Sequence, residues 1–130
     1  KKFLDEYCDF VTKVTSEPSL DQDALIKRMK ELSGFVERLV MTSGKNGSVS
    51  IEKGVLINAS TKDVKDCIDT TGAGDLFVSG YLKAYLNKSS PIDCLKAGNF
   101  VASKILKRDG GKLALSDYRE IKNNIQRYIL

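Results

Sequence analysis

The stretch DTTGAGDLF, residues 69–77, combines two aspartates, two threonines and two glycines at the point where a polar segment becomes apolar. Gly72 and Gly74 favour a tight turn, because glycine tolerates positive φ and allows close backbone approach. From Ala73 onward the apolar residues recur with a helical period, and the first N–H groups of a helix lack partners within it. The N–H groups of Ala73, Gly74 and Asp75 therefore predict a helix start that can bind an anion.

A carboxylate directly after such a turn could take part in a reaction. Asp75 would lie beside a bound phosphate, where it can accept a hydrogen bond from an attacking hydroxyl. The spacing alone leaves a simpler interpretation open, because the helix dipole favours aspartate in a first turn and glycines often serve only the turn. Two familiar phosphate motifs are excluded, since no GxxxxGK[ST] occurs and a GxGxxG match would need glycine at Phe77.

Composition limits the class of protein that carries this motif. The 130 residues are 42% hydrophobic and 29% charged, which suits one compact core, and no apolar run is long enough for a membrane span. No secretory signal is predicted, and three cysteines without any histidine indicate reduced thiols in a cytoplasmic protein. The net charge is +4, but the basic residues are interspersed with acidic ones and form no stripe with aromatic residues. We therefore expect no membrane or nucleic-acid partner.

The N-terminal part of the chain predicts helical structure. Helical spacing of apolar residues favours a helix over 2–14, although the segment DFVTKV fits a short strand equally well. A second helix would begin at a cap, Ser19 or Asp21, and end at Gly34. Its apolar face is formed by Leu25, Met29 and Leu32.

Strands and then helices are predicted in the rest of the chain. The segments FVERLVMTSG, GSVSIEKG and VLINAS contain strands, and a tight turn at Lys53-Gly54 joins the last two. This order, followed by three helices around a glycine-rich strand-to-helix turn, predicts an α/β layered architecture.

The three C-terminal helices have recognisable starts and stops. The first covers 73–87, and the second has Ser90 as its cap with Pro91 at its first position and is stopped by Gly110-Gly111. The third opens at Ser116 or Asp117. The predicted buried faces hold Leu76, Phe77, Gly80, Tyr81 and Ala84, then Leu95, Phe100 or Val101, Ala102, Ile105 and Leu106, and finally Ile121, Ile125 and Tyr128.

The segment DTTGAGDLFVSGYL, residues 69–82, resembles the C-terminal signature of the PfkB, or ribokinase-like, family of ATP-dependent sugar and nucleoside kinases. Upstream, VMTSGKNGS is similar to the family's strand and T-x-G-x-x-G turn, and downstream KAGNFVASKILKRDGG is similar to its adenine-flanking helix and loop. Within the family, these residues are most similar to those of the adenosine-kinase-like bacterial branch. The resemblance implies a ribokinase-like three-layer α/β/α fold, in which 1–130 form the C-terminal nucleotide-binding part of one kinase domain.

The resemblance also implies roles at the glycine-rich turn. Asp75 matches the family's catalytic base, which orients and deprotonates the acceptor hydroxyl. Gly72, Ala73 and Gly74 match the anion hole that stabilises charge on the transferred γ-phosphoryl group. The implied reaction transfers this group from ATP to a hydroxyl of a sugar or nucleoside, with Mg²⁺ as a further cofactor.

Four other residues match positions near the nucleotide. Thr42, Gly44 and Gly47 match the turn that lies near the ribose and phosphates. Asn99 matches a residue beside the adenine, with a solvated helix position as the alternative.

A monovalent cation such as K⁺ is implied beside the anion hole. Asp69 and Thr71 match positions that help to bind it, and hard cations take several oxygen ligands. Hydrogen bonds from Asp69 to neighbouring backbone N–H groups are the alternative. The backbone carbonyls that would complete the site belong to Leu106, Asp109 and Gly111.

The chain also departs from the family pattern. No N-x-x-E segment, which helps to position Mg²⁺ in the family, occurs before Thr42. Family members are longer, and their N-terminal half carries the sugar-contacting glycines and a lid through which a homodimer can form. We therefore expect residues 1–130 to be part of a longer protein and to be inactive alone. A non-catalytic nucleotide-binding module, or an interaction domain whose GAGD is only a helix start, is the alternative.

Overall fold

The computed structural model describes residues 22–61 and 66–129. The predicted element at 2–14 and the two candidate caps, Ser19 and Asp21, lie outside these residues. Within them, no helix is both long enough and apolar enough to span a membrane. The elements are α1 (Gln22–Leu32), β1 (Arg38–Thr42), β2 (Ser48–Glu52), β3 (Val55–Ala59), α2 (Ala73–Leu86), α3 (Pro91–Ser103) and α4 (Leu115–Asn124), with 3₁₀ turns at Gly44–Asn46 and Ile125–Tyr128.

Contacts divide the chain into two compact units. Among the described residues, one unit holds residues 22–40 together with Ile51–Leu56, and the other holds Met41–Ser50 together with residues 57–61 and 66–129. In the first unit, α1 has the predicted apolar face, since Leu25, Met29 and Leu32 are buried. All the predicted site residues belong to the second unit.

The three strands form one sheet in the order β1-β2-β3. The predicted turn between β2 and β3 is confirmed, with Lys53 at φ 50° and Gly54 at φ 79°. Positive φ at both central residues is what a two-residue hairpin turn requires, because its twist then matches that of the strands. Arg38 on β1 donates two hydrogen bonds, of 2.7 and 3.1 Å, to one carboxylate oxygen of Glu52 on β2.

Helices α2 and α3 pack closely because glycines remove side chains at their contact. A Cβ atom on Gly80 would lie 2.6 Å from the carbonyl oxygen of Ala97, and one on Gly98 would lie 2.6 Å from the ring of Phe77. The predicted stripe on α2 is confirmed, with Leu76 at its half-buried margin. Its buried members are Phe77, Gly80, Tyr81 and Ala84.

Helix α3 begins as predicted. Pro91 is its first residue, and the side chain of Ser90 accepts a hydrogen bond from the N–H of Asp93. On its apolar face Val101 is buried whereas Phe100 is only half-buried, which decides between the two predicted residues. Leu95 and Ile105 are also buried, whereas Ala102 and Leu106 are half-buried.

The predicted end of α3 is wrong: the helix ends at Ser103, before Gly110-Gly111. In a continued helix, the carbonyl of Leu106 would accept from the N–H of Gly110. Instead the Leu106 carbonyl accepts from the N–H of Ile68 at 2.7 Å, and the Gly110 N–H donates to the Asp69 carboxylate at 3.2 Å. The helix gives way just after Ser103, where the N–H groups of Lys104 and Ile105 donate to the carbonyls three residues before them, and beyond this point the backbone bonds to a distant segment.

The predicted start of α4 also needs correction. The helix begins at Leu115, with Ala114 as its cap residue. Asp117 occupies the third helical position, and its carboxylate accepts a 2.8 Å hydrogen bond from the N–H of Ala114. This acid satisfies the N–H of the cap residue Ala114. The predicted inward face of this region holds Ile125, which is buried, and Ile121 and Tyr128, which are half-buried.

Candidate active site

The start of α2 has the geometry of an anion-binding turn. Its cap residue Gly72 has φ 81° and ψ −3°, a left-handed conformation that glycine adopts without steric cost. Ala73 donates its N–H to the carbonyl of Thr70 at 3.1 Å. Among the described residues, the N–H groups of Gly74 and Asp75 meet no acceptor. Of the three N–H groups anticipated from the sequence, two are therefore available to a bound anion.

Asp75 lies in the first turn of α2 and its side chain is exposed. No donor of the described part of the chain contacts its carboxylate. A Cβ atom on the neighbouring Gly74 would meet nothing within 4 Å, so this side of the helix start is uncrowded. An exposed carboxylate and two N–H donors thus belong to neighbouring residues of one helix start, which suits an anion bound next to a hydroxyl group.

Asp69 connects the turn before α2 with the loop after α3. One of its carboxylate oxygens accepts from the N–H of Thr71 at 2.9 Å and from the Thr71 hydroxyl at 2.7 Å, and the other accepts from the N–H of Gly110 at 3.2 Å. These bonds, led by that from the Thr71 hydroxyl, hold the pKa of Asp69 below the ordinary aspartate range. The structure therefore contains the hydrogen bonds from backbone N–H groups to Asp69 that were the alternative to a cation-binding role.

The loop at 106–111 brings backbone oxygens to the same place. Besides the Leu106 bond to Ile68, Gly111 packs so closely that an added Cβ would lie 3.2 Å from a carbon of the Thr71 side chain. Asp109 lies on this loop and is exposed. The donor set of Asp69, Thr71 and the loop carbonyls consists of oxygens alone, which fits a hard cation better than a transition metal. In the described ranges, no three His, Cys, Asp or Glu side chains form a metal-binding group.

The turn between β1 and β2 holds the predicted nucleotide residues. Thr42 ends β1, Gly44 has φ 48° and Gly47 has φ 93°. The N–H of Ser43 donates to the carbonyl of Gly47 at 2.8 Å, which closes the turn. A Cβ atom on Gly47 would lie only 2.1 Å from the carbonyl oxygen of Ala59, so this close approach requires glycine.

Asn99 on α3 reaches the same region. Its side-chain amide donates a 3.0 Å hydrogen bond to the carbonyl oxygen of Ala59, the atom that approaches Gly47. The residue is half-buried, so its side chain is only partly exposed to solvent. The carbonyl oxygen of Ala59, at the end of β3, therefore contacts both Asn99 and the Gly47 turn.

Sequence reasoning missed one ion pair near the site. Arg108, on the loop after α3, donates two hydrogen bonds of 2.8 Å to the two carboxylate oxygens of Asp117. This pairing holds the pKa of Asp117 below its ordinary range. The two residues are nine positions apart, a separation with no helical or strand period that could have indicated the contact.

Comparison with known proteins connects this geometry to a family. Residues 11–117 match the family described as pfkB family carbohydrate kinase. A nucleoside kinase of Methanothermobacter thermautotrophicus is 30% identical over 111 residues, which are 85% of this chain and 33% of that protein. An adenosine kinase of Dictyostelium discoideum is 30% identical over 84 residues, 61% of this chain and 24% of that protein.

Solved structures of kinases share the fold. A probable sugar kinase of Rhizobium etli superposes with a TM-score of 0.70 at 26% identity, over 80% of this chain and 31% of its own. This chain thus spans about a quarter to a third of the length of these relatives. The predicted fold class is confirmed, as part of a ribokinase-like α/β fold. The family match, residues 11–117, covers most of the chain, and the chain accordingly belongs to the pfkB family of carbohydrate kinases.

Proposed function

We propose that this chain is the C-terminal, nucleotide-binding part of a single kinase domain that transfers the γ-phosphoryl group of ATP to a hydroxyl of a sugar or nucleoside. The observation that carries the proposal is the start of α2, where Asp75 is exposed and the N–H groups of Gly74 and Asp75 meet no acceptor among the described residues. The similarity to a nucleoside kinase, an adenosine kinase and a probable sugar kinase supports the substrate class.

In the proposed reaction, Asp75 is the base and the Gly72-Ala73-Gly74 turn is the anion hole. The acceptor hydroxyl gives its proton to the Asp75 carboxylate as its oxygen bonds to the γ-phosphorus. The bond from the γ-phosphorus to the bridging oxygen of ATP breaks, and ADP leaves. Charge spreads over the transferred phosphoryl oxygens in the transition state, where N–H donors stabilise it most.

The other predicted residues bind the nucleotide in this proposal. Thr42, Gly44 and Gly47 lie near the ribose and phosphates, and Asn99 lies near the adenine. The shared contact of Asn99 and Gly47 at Ala59 supports a common role, because it fixes the two positions relative to each other.

Two cations belong to the proposed reaction. K⁺ would bind oxygens of Asp69, Thr71, Leu106, Asp109 and Gly111 and would add positive charge beside the anion hole. Mg²⁺ accompanies ATP, but the described residues offer no group of acidic side chains to hold it, and no residue is assigned to it.

The test is the Asp75→Asn variant of the full-length protein, assayed with ATP against a panel of sugars and nucleosides. Loss of the base is expected to lower kcat by about 10²- to 10⁴-fold while the affinity for ATP, measured by calorimetry, is retained. Glu120→Gln is a control for loss of one exposed negative charge in the same unit, and we expect it to retain kcat within about threefold, since Glu120 on α4 belongs to no proposed binding or catalytic group. Unchanged turnover in Asp75→Asn would contradict the role of Asp75.

A second candidate is a nucleotide-binding module that transfers no phosphate. The absence of an N-x-x-E sequence before Thr42 favours it. Binding of ATP by the full-length protein without product from any acceptor in the panel would support this candidate. Failure to bind any nucleotide would contradict both candidates and favour an interaction domain.

A further inference from the structure

The loop at 106–111 has no fully buried residue. It lies beyond the end of α3, and its backbone makes left-handed turns at Gly110 and Gly111, with φ of 65° and 69°. Lys107, Asp109 and Gly110 are exposed. Loops with few buried groups open locally at low cost in free energy, so the position of this loop depends on particular anchors.

One set of contacts joins the loop to the turn before α2. These are the hydrogen bond from Ile68 to the Leu106 carbonyl, the bond from Gly110 to the Asp69 carboxylate, and the packing of Gly111 on Thr71. All three contacts are close to the Gly72 turn that begins α2. Movement of the loop would therefore alter the surroundings of the proposed anion hole.

A second anchor joins the middle of the loop to α4. The guanidinium of Arg108 donates to both carboxylate oxygens of Asp117, each at 2.8 Å. Asp117 is only 7% exposed, and it also accepts from the N–H of Ala114 at the start of α4. A two-bond guanidinium–carboxylate pair fixes the orientation as well as the distance of its partners.

We propose that Arg108 and Asp117 act as positioning residues that hold the 106–111 loop against the turn at Ile68–Thr71. This inference rests on the proposed function for its effect on phosphoryl transfer, whereas the positioning itself is a property of the chain. With the ion pair broken, the loop opens more often, and the hydrogen bonds of Ile68 and Gly110 open with it. The oxygens of Leu106 and Gly111 then lose their fixed position beside Asp69.

The first experiment measures amide hydrogen exchange by NMR in the full-length protein, with Arg108→Lys and Asp117→Asn as variants. Lysine keeps the charge but cannot make the two parallel bonds. We expect exchange at Ile68 and Gly110 to become about tenfold faster or more in both variants. Amides in the buried part of α3, at Leu95 and Val101, are expected to keep their rates, which shows that the fold is intact.

The control is Glu120→Gln, which breaks the ion pair between Lys104 and Glu120. That pair also joins the end of α3 to α4, but neither residue belongs to the loop. We expect wild-type exchange at Ile68 and Gly110 in this variant. The double variant Arg108→Lys/Asp117→Asn is expected to exchange no faster than the faster single variant, because both changes remove one interaction.

The second experiment separates positioning from a general loss of stability. In the full-length protein, Arg108→Lys is expected to raise the K⁺ concentration for half-maximal activity by about tenfold, with kcat at saturating K⁺ within about twofold of wild type. Wild-type exchange rates at Ile68 and Gly110 in both single variants, or the same acceleration in Glu120→Gln, would overturn the inference. Absence of nucleotide binding in the wild-type protein would instead contradict the proposed function, and the exchange rates would still decide the positioning role.

Discussion

Single residues of this chain connect segments that lie far apart in sequence, and Asp69 is the clearest case. Its carboxylate accepts from Thr71 beside it and from Gly110, 41 positions away. These donors favour the ionised form, which is why its pKa is lowered. Protonation would remove the negative charge that strengthens both contacts and would turn one of the two oxygens into a hydroxyl, so we expect the arrangement of the turn to depend on pH.

The first prediction follows from the sign of this shift. Because the pKa of Asp69 is lower in the folded than in the unfolded chain, its stabilisation is present above the unfolded pKa of about 3.9 and is lost as the pH falls through the folded value. We expect the NMR amide shift of Gly110 to titrate with a midpoint below about 3.9. Asp69→Asn is expected to abolish the titration. A midpoint at or above the ordinary aspartate value would contradict the hydrogen-bonded carboxylate.

The second prediction concerns the close approach at Gly47. Gly47→Ala would place a Cβ 2.1 Å from the carbonyl oxygen of Ala59, in a backbone conformation of φ 93° and ψ −138° that alanine rarely adopts. We expect it to lower the free energy of unfolding by about 2–5 kcal/mol, measured by urea denaturation. The matched control is Gly44→Ala, which also has positive φ but meets nothing within 4 Å. Gly44→Ala is expected to lower the free energy of unfolding by about 1–2 kcal/mol. Equal losses in the two variants would show that the contact with Ala59 is unimportant.

At the scale of elements, the packing of α2 on α3 places the candidate site. The two helices meet at Gly80 and Gly98, and the aromatic rings of Phe77 and Tyr81 stack with their centroids 6.0 Å apart. Since α2 begins at the Gly72 turn and Asn99 follows Gly98 on α3, this contact sets the anion-binding turn and Asn99 relative to each other. Strain at the helix contact should therefore affect the positions of both the anion-binding turn and Asn99.

The third prediction tests this helix contact. Gly80→Ala would bring a Cβ to 2.6 Å from the backbone oxygen of Ala97, so the helices must move apart. We expect a loss of about 1–3 kcal/mol in the free energy of unfolding, measured by chemical denaturation. Gly74→Ala on the same helix is the control, because its Cβ meets nothing within 4 Å and alanine favours helix. It is expected to leave stability unchanged or raise it by up to about 1 kcal/mol; similar losses in both variants would exclude the contact as their cause.

The sequence predicts elements well where local signals suffice. The Lys53-Gly54 hairpin and the Ser90-Pro91 start of α3 follow from residues whose conformational preferences act over a few positions. The end of α3 could not be predicted in this way. Its helical pattern continues beyond Ser103, but Leu106 and Gly110 make hydrogen bonds with Ile68 and Asp69 instead of with each other, and no local pattern relates these segments.

At the scale of the whole molecule, the family could be predicted because its signature is continuous in sequence. The residues from Asp69 to Leu82 fall in one stretch, so their order alone is informative. The pair of Arg108 and Asp117 and the contact of Asn99 with Ala59 could not be predicted, because each depends on how separate segments pack. Motif residues were thus predicted, whereas the groups that hold them in place were not.

The last prediction concerns the surface of α2. Asp75 begins a stripe that continues at helical spacing through Val78, Leu82, Tyr85 and Leu86, and these four apolar residues are 46–75% exposed. Contiguous apolar surface of this kind promotes association in water. We expect the 130-residue chain to self-associate as its concentration rises, detected by sedimentation velocity.

Two double variants distinguish this face from exposed apolar residues in general. Leu82→Lys/Leu86→Lys is expected to shift the chain to monomer, because two hydrated charges interrupt the stripe. Leu115→Lys/Tyr118→Lys changes two residues of α4 that are 66% and 58% exposed, and we expect it to associate like the wild-type chain. Equal dissociation of the two double variants would show that the α2 face has no particular role in self-association. Because Asp75 begins this stripe, a partner that covers the stripe would also exclude water around Asp75, where the proposed phosphoryl transfer takes place.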